Sequence, residues 1–297
     1  MLDLCIIGAP KCATSSLFRW LTAHPRISGP EDRKELFFFM DDEHPLIRRP
    51  NVHTESLKVY RNLFPEYADY LIEGTTHYLY QKTARKYLLR MDPSPLILVI
   101  VREPSERVWS SFQYSKNNKA KVSSDLTFSQ YVRWVLSGEE KRIRRFITGS
   151  SYVLEREVDH SKYIKYLDYW QNENIDDKIK VISFEEIVRD PKSVCKNIAA
   201  KIGVCTEIYE NTNFSKRNAT YSVRSRLLHK VAKKTGEILP SSRIKRKAKK
   251  IYTSFFTRAA GPSKTAEDEE ALLCLRKYFD PYNNKLAKEF NIDISNW

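Results

Sequence analysis

The feature that most constrains the fold is a run of six apolar residues, LILVIV, at positions 96–101. A continuous apolar run of this length is typical of a strand that is buried on both faces. Such strands occur in parallel sheets that helices cover on either side. The run leads directly into Arg102, and a helical pattern begins at Pro104, so we expect a strand, a short turn and a helix here.

The same alternation recurs along the chain. Further strands are predicted at 2–8 (LDLCIIG), 70–75 (YLIEGT) and in the first part of 178–187 (KIKVISFEEI). Helical spacing of apolar residues is found at 14–23, 104–116, 126–137, 160–172, 192–202 and 267–290. Strands that alternate with helices predict an α/β fold in which helices flank a parallel central sheet.

The composition limits the class of protein. A chain of 297 residues with 41% hydrophobic content can bury a large core. We expect one domain over residues 1–297, with a basic helical or lid region at 203–265. No apolar run approaches the length of a membrane span, and the first residues do not read as a signal peptide. The five scattered cysteines contain no CxxC pair, which favours reduced thiols and a cytoplasmic protein.

The charge is strongly positive, with a formal net value of +14. Such a surplus favours anionic partners such as nucleotides or polyanions. It is concentrated in residues 216–258, which include SSRIKRKAKK. This tract has two interpretations, a solvated helix face or a contact for a polyanion.

A phosphate-loop-like segment follows the first predicted strand. In LCIIGAPKCATSSLF, Lys11 lies three residues after Gly8 and is followed by Thr14, Ser15 and Ser16. The spacing is shorter than that of the common nucleotide-binding loop. A helix that begins near Thr14 directs its N–H groups and the positive end of its dipole towards the loop. The segment therefore predicts an anion site.

A second candidate anion site follows LILVIV, in the segment VREPSERVWSSFQYSK. Arg102 stands at the end of the strand, and Ser110 lies two helical turns later. A guanidinium fork together with a hydroxyl group can bind a second phosphate. Arg107 shares a helix face with Ser110 and Ser111, so it either joins this site or positions the helix.

Together, these two segments resemble the sulfotransferases that use 3′-phosphoadenosine 5′-phosphosulfate (PAPS). IIGAPKCATSSL is similar to their 5′-phosphosulfate loop, and VREPSERVWSSFQY is similar to their 3′-phosphate motif. KELFFF, EGTTHYLY, VISFEEIVRDP and the C-terminal FDPYNNKLAKEF agree more loosely. The resemblance is closest to the glycosaminoglycan and bacterial single-domain branch. It implies a P-loop-like nucleotide-binding sulfotransferase fold with PAPS as co-substrate and no required metal.

The resemblance also implies site residues. Lys11 stabilises the leaving group, Glu35 of KELFFF is the general base, and His77 of EGTTHYLY is the alternative base. The residues assigned to the donor are Lys11, Cys12, Ala13, Thr14, Ser15, Ser16, Arg102 and Ser110, with Lys216 and Arg217 added from a later loop. The chain departs from the family at Ala13, where Gly is usual. Alanine fits only if the backbone there keeps a negative φ, which we therefore expect.

The predicted function is transfer of a sulfuryl group from PAPS to a hydroxyl or nitrogen of a small-molecule natural product. Residues 30–80 are short for a long glycan cleft, whereas the basic surplus fits the alternative of a saccharide acceptor. A P-loop kinase is a distant alternative, because it needs an acidic metal ligand and LILVIV ends in Arg. A purely basic binding module does not account for two separate anion motifs. No nucleic-acid partner is expected, and no membrane span is predicted.

Overall fold

The computed structural model describes residues 2–171, 178–215, 222–223, 257–258 and 262–297. The chain divides into two compact units. The first comprises Met1–Pro104, Lys162–Asn218 and Phe279–Trp297, and the second comprises Ser105–Ser161 and Ala219–Tyr278.

The first unit contains a five-stranded sheet. Its strands are β1 (Leu4–Gly8), β2 (Ile27–Ser28), β3 (Tyr70–Glu73), β4 (Leu96–Val101) and β5 (Ile179–Ser183). They lie in the order β2-β3-β1-β4-β5, and every neighbouring pair is parallel. The α/β prediction is confirmed, as are the four predicted strands. The two-residue β2 was not predicted, because so short a strand carries no periodic signal.

The helices follow the strands along the chain. They are α1 (Thr14–Leu21), α2 (Leu57–Arg61), α3 (Lys82–Leu88), α4 (Pro104–Gln113), α5 (Phe128–Leu136), α6 (Tyr152–His160), α7 (Tyr163–Gln171), α8 (Phe184–Arg189), α9 (Pro191–Lys201) and α10 (Ala266–Phe290). Short 3₁₀ helices lie at Tyr78–Tyr80, Glu140–Phe146 and Glu207–Glu210. The sequence pattern missed α2, α3 and α6.

The core of the first unit forms around the two central strands. All residues of β1 are buried, as are the last five of β4, which matches the continuous apolar runs. Helix α7 packs on this core through Leu167 and Trp170, and the indole N–H of Trp170 donates to the carbonyl of Leu79 at 2.9 Å. Burial on both faces therefore places the sheet as a central layer, as the sequence predicted.

The second unit has its own aromatic core. The rings of Trp109 and Phe128 meet edge to face with centroids 4.9 Å apart, and Phe112 packs on Tyr131 at 5.2 Å. Helix α5 begins with a capping box, in which the Thr127 hydroxyl accepts the N–H of Gln130 at 3.1 Å. This unit also contains the two-residue antiparallel pair β6 (Ser222–Val223) and β7 (Thr257–Arg258).

Within the described part of the chain, no helix is both long enough and apolar enough to cross a bilayer.

Candidate active site

The carboxyl ends of three neighbouring strands bring the candidate residues to one edge of the sheet. Strand β1 ends at Gly8 and leads into the Lys11 loop, and the N–H of Ala9 donates to the Ile100 carbonyl of β4 at 2.8 Å. Strand β4 ends one residue before Arg102, and β3 ends at Glu73. This edge is where open parallel sheets bind their ligands.

Gly8 is required at the start of the loop by close packing. A Cβ atom at this position would lie 2.8–2.9 Å from side-chain atoms of Leu79, closer than real contacts allow. Only glycine therefore lets β1 continue into the loop beneath this leucine.

The loop ends in the helix terminus that the sequence predicted. Helix α1 begins at Thr14, and its cap residue is Ala13, whose methyl group cannot accept a hydrogen bond. The N–H groups of Ser16 and Leu17 donate to the Ala13 carbonyl at 2.9 and 3.1 Å. A helix N-terminus with no side-chain cap suits an anionic ligand, because its first N–H groups and the helix dipole both favour negative charge.

The expectation that Ala13 keeps a negative φ is wrong. Ala13 has φ 60° and ψ 8°, the left-handed conformation, and Lys11 has φ 70°. The Cβ atom makes this conformation cost roughly 1–2 kcal/mol for an L-residue. The loop thus accepts strain at Ala13 that glycine would avoid.

The predicted loop residues differ in exposure. Cys12, Thr14 and Ser16 are buried, whereas Lys11, Ala13 and Ser15 are half-buried. The Cys12 thiol lies 3.6 Å from the Pro10 carbonyl oxygen and 3.8 Å from the hydroxyl oxygen of Tyr163. The loop therefore contacts the protein interior through Cys12, and the half-buried Lys11, Ala13 and Ser15 lie nearer the surface.

Lys34 connects the loop to the predicted base. Its ammonium group donates to the Thr14 hydroxyl at 3.2 Å and lies 3.6 Å from Oε1 of Glu35. The same Oε1 accepts the hydroxyl of Thr76 at 2.8 Å and the N–H of Thr76 at 3.5 Å. Sequence reasoning missed Lys34 and Thr76, although both stand beside predicted bases in the chain.

These neighbours set the charge state of the carboxylate. Burial raises the pKa of Glu35, but the Lys34 charge, the Thr76 hydrogen bonds and the His77 charge outweigh burial, so the pKa lies below its ordinary value. Burial lowers the pKa of Lys34, and the attraction of Glu35 opposes that shift. At neutral pH Glu35 is therefore an ionised carboxylate that can accept a proton.

His77, the alternative base, belongs to the same cluster. It follows Thr76 in the chain, and its ring centroid lies 6.2 Å from that of Phe37 and 6.0 Å from that of Tyr80. Its charge contributes to the lowered pKa of Glu35. The structure thus brings both predicted bases together, and Lys34 links Glu35 to the phosphate-loop-like segment.

Arg102 follows strand β4, which neighbours β1 in the sheet. Its guanidinium carbon is 4.7 Å from the ring centroid of Phe184, and its carbonyl accepts the Tyr163 hydroxyl at 3.0 Å. That hydroxyl also faces the Cys12 thiol. Tyr163 therefore lies between the two predicted anion-binding segments, a role that no sequence pattern indicated.

Arg107 and Ser111 belong to the second unit and face a buried carboxylate. The Arg107 guanidinium lies 2.7 Å from Oε1 of Glu157, with side chains 1% and 3% exposed, and the Ser111 hydroxyl donates to Oε2 at 2.8 Å. Arg107 Nε also donates to the Ser161 hydroxyl at 3.1 Å. Of the two alternatives for Arg107, this arrangement favours a role in positioning the helix.

Three further donor-site predictions have different outcomes. Ser110 lies half-buried on α4 in the second unit. Lys216 and Arg217 lie outside the described residues, as does most of the predicted basic region at 203–265.

The chain is similar in sequence to curated proteins that are named as heparan sulfate sulfotransferases. Heparan sulfate glucosamine 3-O-sulfotransferase 5 of Mus musculus is 21% identical over 283 residues, covering 94% of this chain and 69% of that protein. Bifunctional heparan sulfate N-deacetylase/N-sulfotransferase 4 of Mus musculus is 21% identical over 210 residues, or 67% of this chain. The chain spans only 22% of the length of that second relative.

Among solved structures, a sulfotransferase from Alicyclobacillus acidocaldarius has the same fold. It superposes with a TM-score of 0.65 at 22% identity, covering 100% of this chain and 98% of that chain. The predicted sulfotransferase fold is confirmed. Residues 2–259 match the family model of the sulfotransferase domain. The chain therefore belongs to the sulfotransferase family.

Proposed function

We propose that this chain transfers a sulfuryl group from PAPS to a hydroxyl or nitrogen of a small-molecule acceptor. The observation that carries the proposal is the cluster of Thr14, Lys34, Glu35 and Thr76, which places an ionised carboxylate beside an uncapped helix N-terminus. Such a site holds an anion and a proton acceptor side by side, as sulfuryl transfer requires.

The residues of this edge fit a donor with two anionic ends. The α1 terminus suits the 5′-phosphosulfate, through the hydroxyls of Thr14, Ser15 and Ser16 and the backbone of Cys12 and Ala13. Arg102, held by its carbonyl contact with Tyr163, suits the 3′-phosphate. Ser110, Lys216 and Arg217 remain sequence-based predictions for the same nucleotide.

The proposed chemistry divides between two ionised side chains. When bound, PAPS supplies a sulfuryl group attached to a phosphate oxygen. Glu35 accepts the acceptor's proton as the acceptor oxygen or nitrogen bonds to sulfur, and Lys11 stabilises the negative charge left on the phosphate oxygen when the old S–O bond breaks. Fixed charges at these two places favour the transition state over the ground state. His77 is the alternative base, and we propose that no metal is required.

A saccharide acceptor is the second candidate, and a specific observation favours it. The relatives reported above carry heparan sulfate in their names, and the net charge of +14 suits an anionic polymer. A phosphoryl-transfer enzyme is the distant alternative.

Calorimetric titration of adenosine 3′,5′-bisphosphate into metal-free protein tests the donor. We expect micromolar binding that Lys11→Ala and Arg102→Ala weaken and that Lys58→Ala, at an exposed lysine of α2, leaves unchanged. No binding, or binding of ATP that requires Mg²⁺, would contradict the proposal.

Transfer from ³⁵S-labelled PAPS then tests the acceptor. A panel of phenols, aliphatic alcohols and amines is compared with desulfated heparan oligosaccharides. Label on the small molecules supports the proposed acceptor class, and label confined to the oligosaccharides favours the saccharide instead.

A further inference from the structure

A second, fully buried glutamate lies behind the candidate base. Glu73 ends strand β3 and has no exposed surface. Its Oε1 accepts the N–H of Leu36 at 3.3 Å and the hydroxyl of Thr75, and its Oε2 accepts the hydroxyl of Tyr60 at 2.7 Å. The carboxylate therefore joins three segments of the chain through hydrogen bonds. Loss of any of these bonds would leave a buried polar group unpaired and lower the stability of the fold.

The hydrogen bonds of Glu73 continue along the base-bearing segment. Thr75 Oγ1 accepts the N–H of Phe37 at 3.1 Å, and the Tyr78 hydroxyl oxygen accepts the N–H groups of the next two residues at 2.8 and 3.1 Å. Side chains from 73–78 thus bind four consecutive N–H groups of 36–39. They take the place that a neighbouring strand would have in a sheet.

The same two segments meet at the base itself. The N–H of Gly74 donates to the Lys34 carbonyl at 3.2 Å, and Thr76 donates to the Glu35 carboxylate. Glu73 binds the residue after Glu35 and also the residue before Thr76. Glu73 therefore restrains the segment that contains Glu35 and also the segment that contains Thr76, whose hydroxyl orients the Glu35 carboxylate.

The held segment adopts a costly backbone conformation. Phe37 has φ 57°, in the left-handed region that bulky residues rarely enter. Such a conformation persists only where the surroundings determine it. The Thr75 contact with the Phe37 N–H, itself fixed by Glu73, supplies that restraint.

We propose that Glu73 is a positioning residue for sulfuryl transfer, fixing the orientation of Glu35 against the phosphate loop. The inference rests on the proposed role of Glu35 as base. Burial raises the pKa of Glu73 to about 7, against the opposing hydrogen bonds from Thr75, Tyr60 and Leu36. Both carboxylate oxygens accept hydrogen bonds, and these contacts are what hold the segment.

Two substitutions separate the capacity to accept hydrogen bonds from the charge. Glu73→Leu fills a similar volume but cannot accept a hydrogen bond, and Glu73→Gln keeps one acceptor oxygen for Leu36 and Thr75. Tyr209→Phe is the matched control, because it removes one buried hydroxyl contact, to the Leu21 carbonyl at 3.2 Å, elsewhere in the first unit. If Glu73→Leu does not fold, Thr75→Val removes the adjacent hydroxyl alone.

We expect Glu73→Leu to lower kcat by about 10- to 100-fold, because small misplacements of a reacting group are costly, while KM for PAPS changes little. Glu73→Gln should recover most of the loss, and Tyr209→Phe should lower stability without lowering kcat. In the Glu35→Gln background, Glu73→Leu should cost almost nothing further, since both residues act through the same carboxylate. Losses that multiply in the double variant would overturn the proposal.

Titration of the Glu35 carboxyl by ¹³C NMR tests the inference without any turnover. Loosening the segment with Glu73→Leu should move the pKa of Glu35 away from its wild-type value, and the control should not. An unmoved pKa in a folded variant would overturn the positioning role. A different outcome would count against the proposed function alone. In that outcome Glu73→Leu shifts the pKa of Glu35, but the wild-type protein transfers no sulfuryl group.

Discussion

The ammonium group of Lys34 lies 3.2 Å from the Thr14 hydroxyl and 3.6 Å from the Glu35 carboxylate. One cation thus contacts both the first residue of helix α1, the proposed anion-binding helix, and the proposed base. It lowers the pKa of Glu35 and so keeps the proton acceptor ionised next to the place where the donor would bind.

Removal of this cation should shift the pH dependence of the reaction. In Lys34→Met the burial of Glu35 remains while the opposing charge is lost, so the pKa of Glu35 rises. The acidic limb of kcat/KM against pH should therefore move to higher pH. Lys34→Arg, which keeps the charge, is the control, and an unmoved acidic limb in Lys34→Met would contradict the assignment of Glu35 as base.

Glu73 should make the stability of the fold fall as the pH rises. Its pKa is about 7 in the folded chain and 4.5 ordinarily, so the native state binds more protons than the unfolded state between these values. The free energy of unfolding is therefore highest below about pH 4.5, where Glu73 is protonated in both states. It falls by roughly 3 kcal/mol as the pH rises through about 7. Urea unfolding at about pH 5 and about pH 8 measures it.

The matched variants for this prediction differ only in the titrating group. Glu73→Gln cannot ionise and should lack the wild-type loss of stability over this window. Glu66→Gln, at an exposed site, controls for the loss of one negative charge. An equal loss of stability in wild type and Glu73→Gln would mean that another group titrates.

The strands and both anion-binding segments were predictable because their signals are local. LILVIV is a continuous apolar run and LDLCIIG is apolar apart from Asp3, and each leads into its predicted anion-binding segment within a few residues. The parallel order then brings the Lys11 loop and Arg102 to the same edge of the sheet. The pattern of apolar and polar residues predicts the strands. Because the strands are parallel, the segments that follow them are expected at the same edge of the sheet.

The contacts that orient the site were not predictable, because they join distant residues. Glu73 binds Leu36 across 37 positions, and Tyr163 binds Arg102 across 61. No periodic pattern connects such pairs, and a glutamate at the end of a strand reads as an ordinary surface residue. The left-handed Ala13 was likewise hidden, since the sequence shows the residue type but not its φ.

Ala13→Gly should stabilise the chain without weakening nucleotide binding. Glycine removes the cost of the left-handed conformation, roughly 1–2 kcal/mol, and the more flexible unfolded chain offsets part of the gain. Ala120 has φ 51° in the second unit, so Ala120→Gly should give a similar gain at a position outside the site. Urea unfolding checks both, and a loss of stability in Ala13→Gly would contradict the strain at this position.

We expect the ion pair of Arg107 with Glu157 to contribute to the free energy of unfolding. Arg107→Met leaves the buried Glu157 carboxylate without its ion partner, which should lower the free energy of unfolding by about 3–5 kcal/mol. Ser111→Ala removes only one hydrogen bond to the same carboxylate and should cost less, about 1.5–3 kcal/mol.

The double variant Arg107→Met, Glu157→Leu distinguishes a structural ion pair from a ligand contact. Replacing both charges by apolar groups removes the unpaired carboxylate, so most of the lost stability should return. Urea unfolding and calorimetric titration of adenosine 3′,5′-bisphosphate are measured on the same samples. If the double variant is as stable as wild type but no longer binds the nucleotide, Arg107 contacts the ligand directly and its role is not confined to the fold.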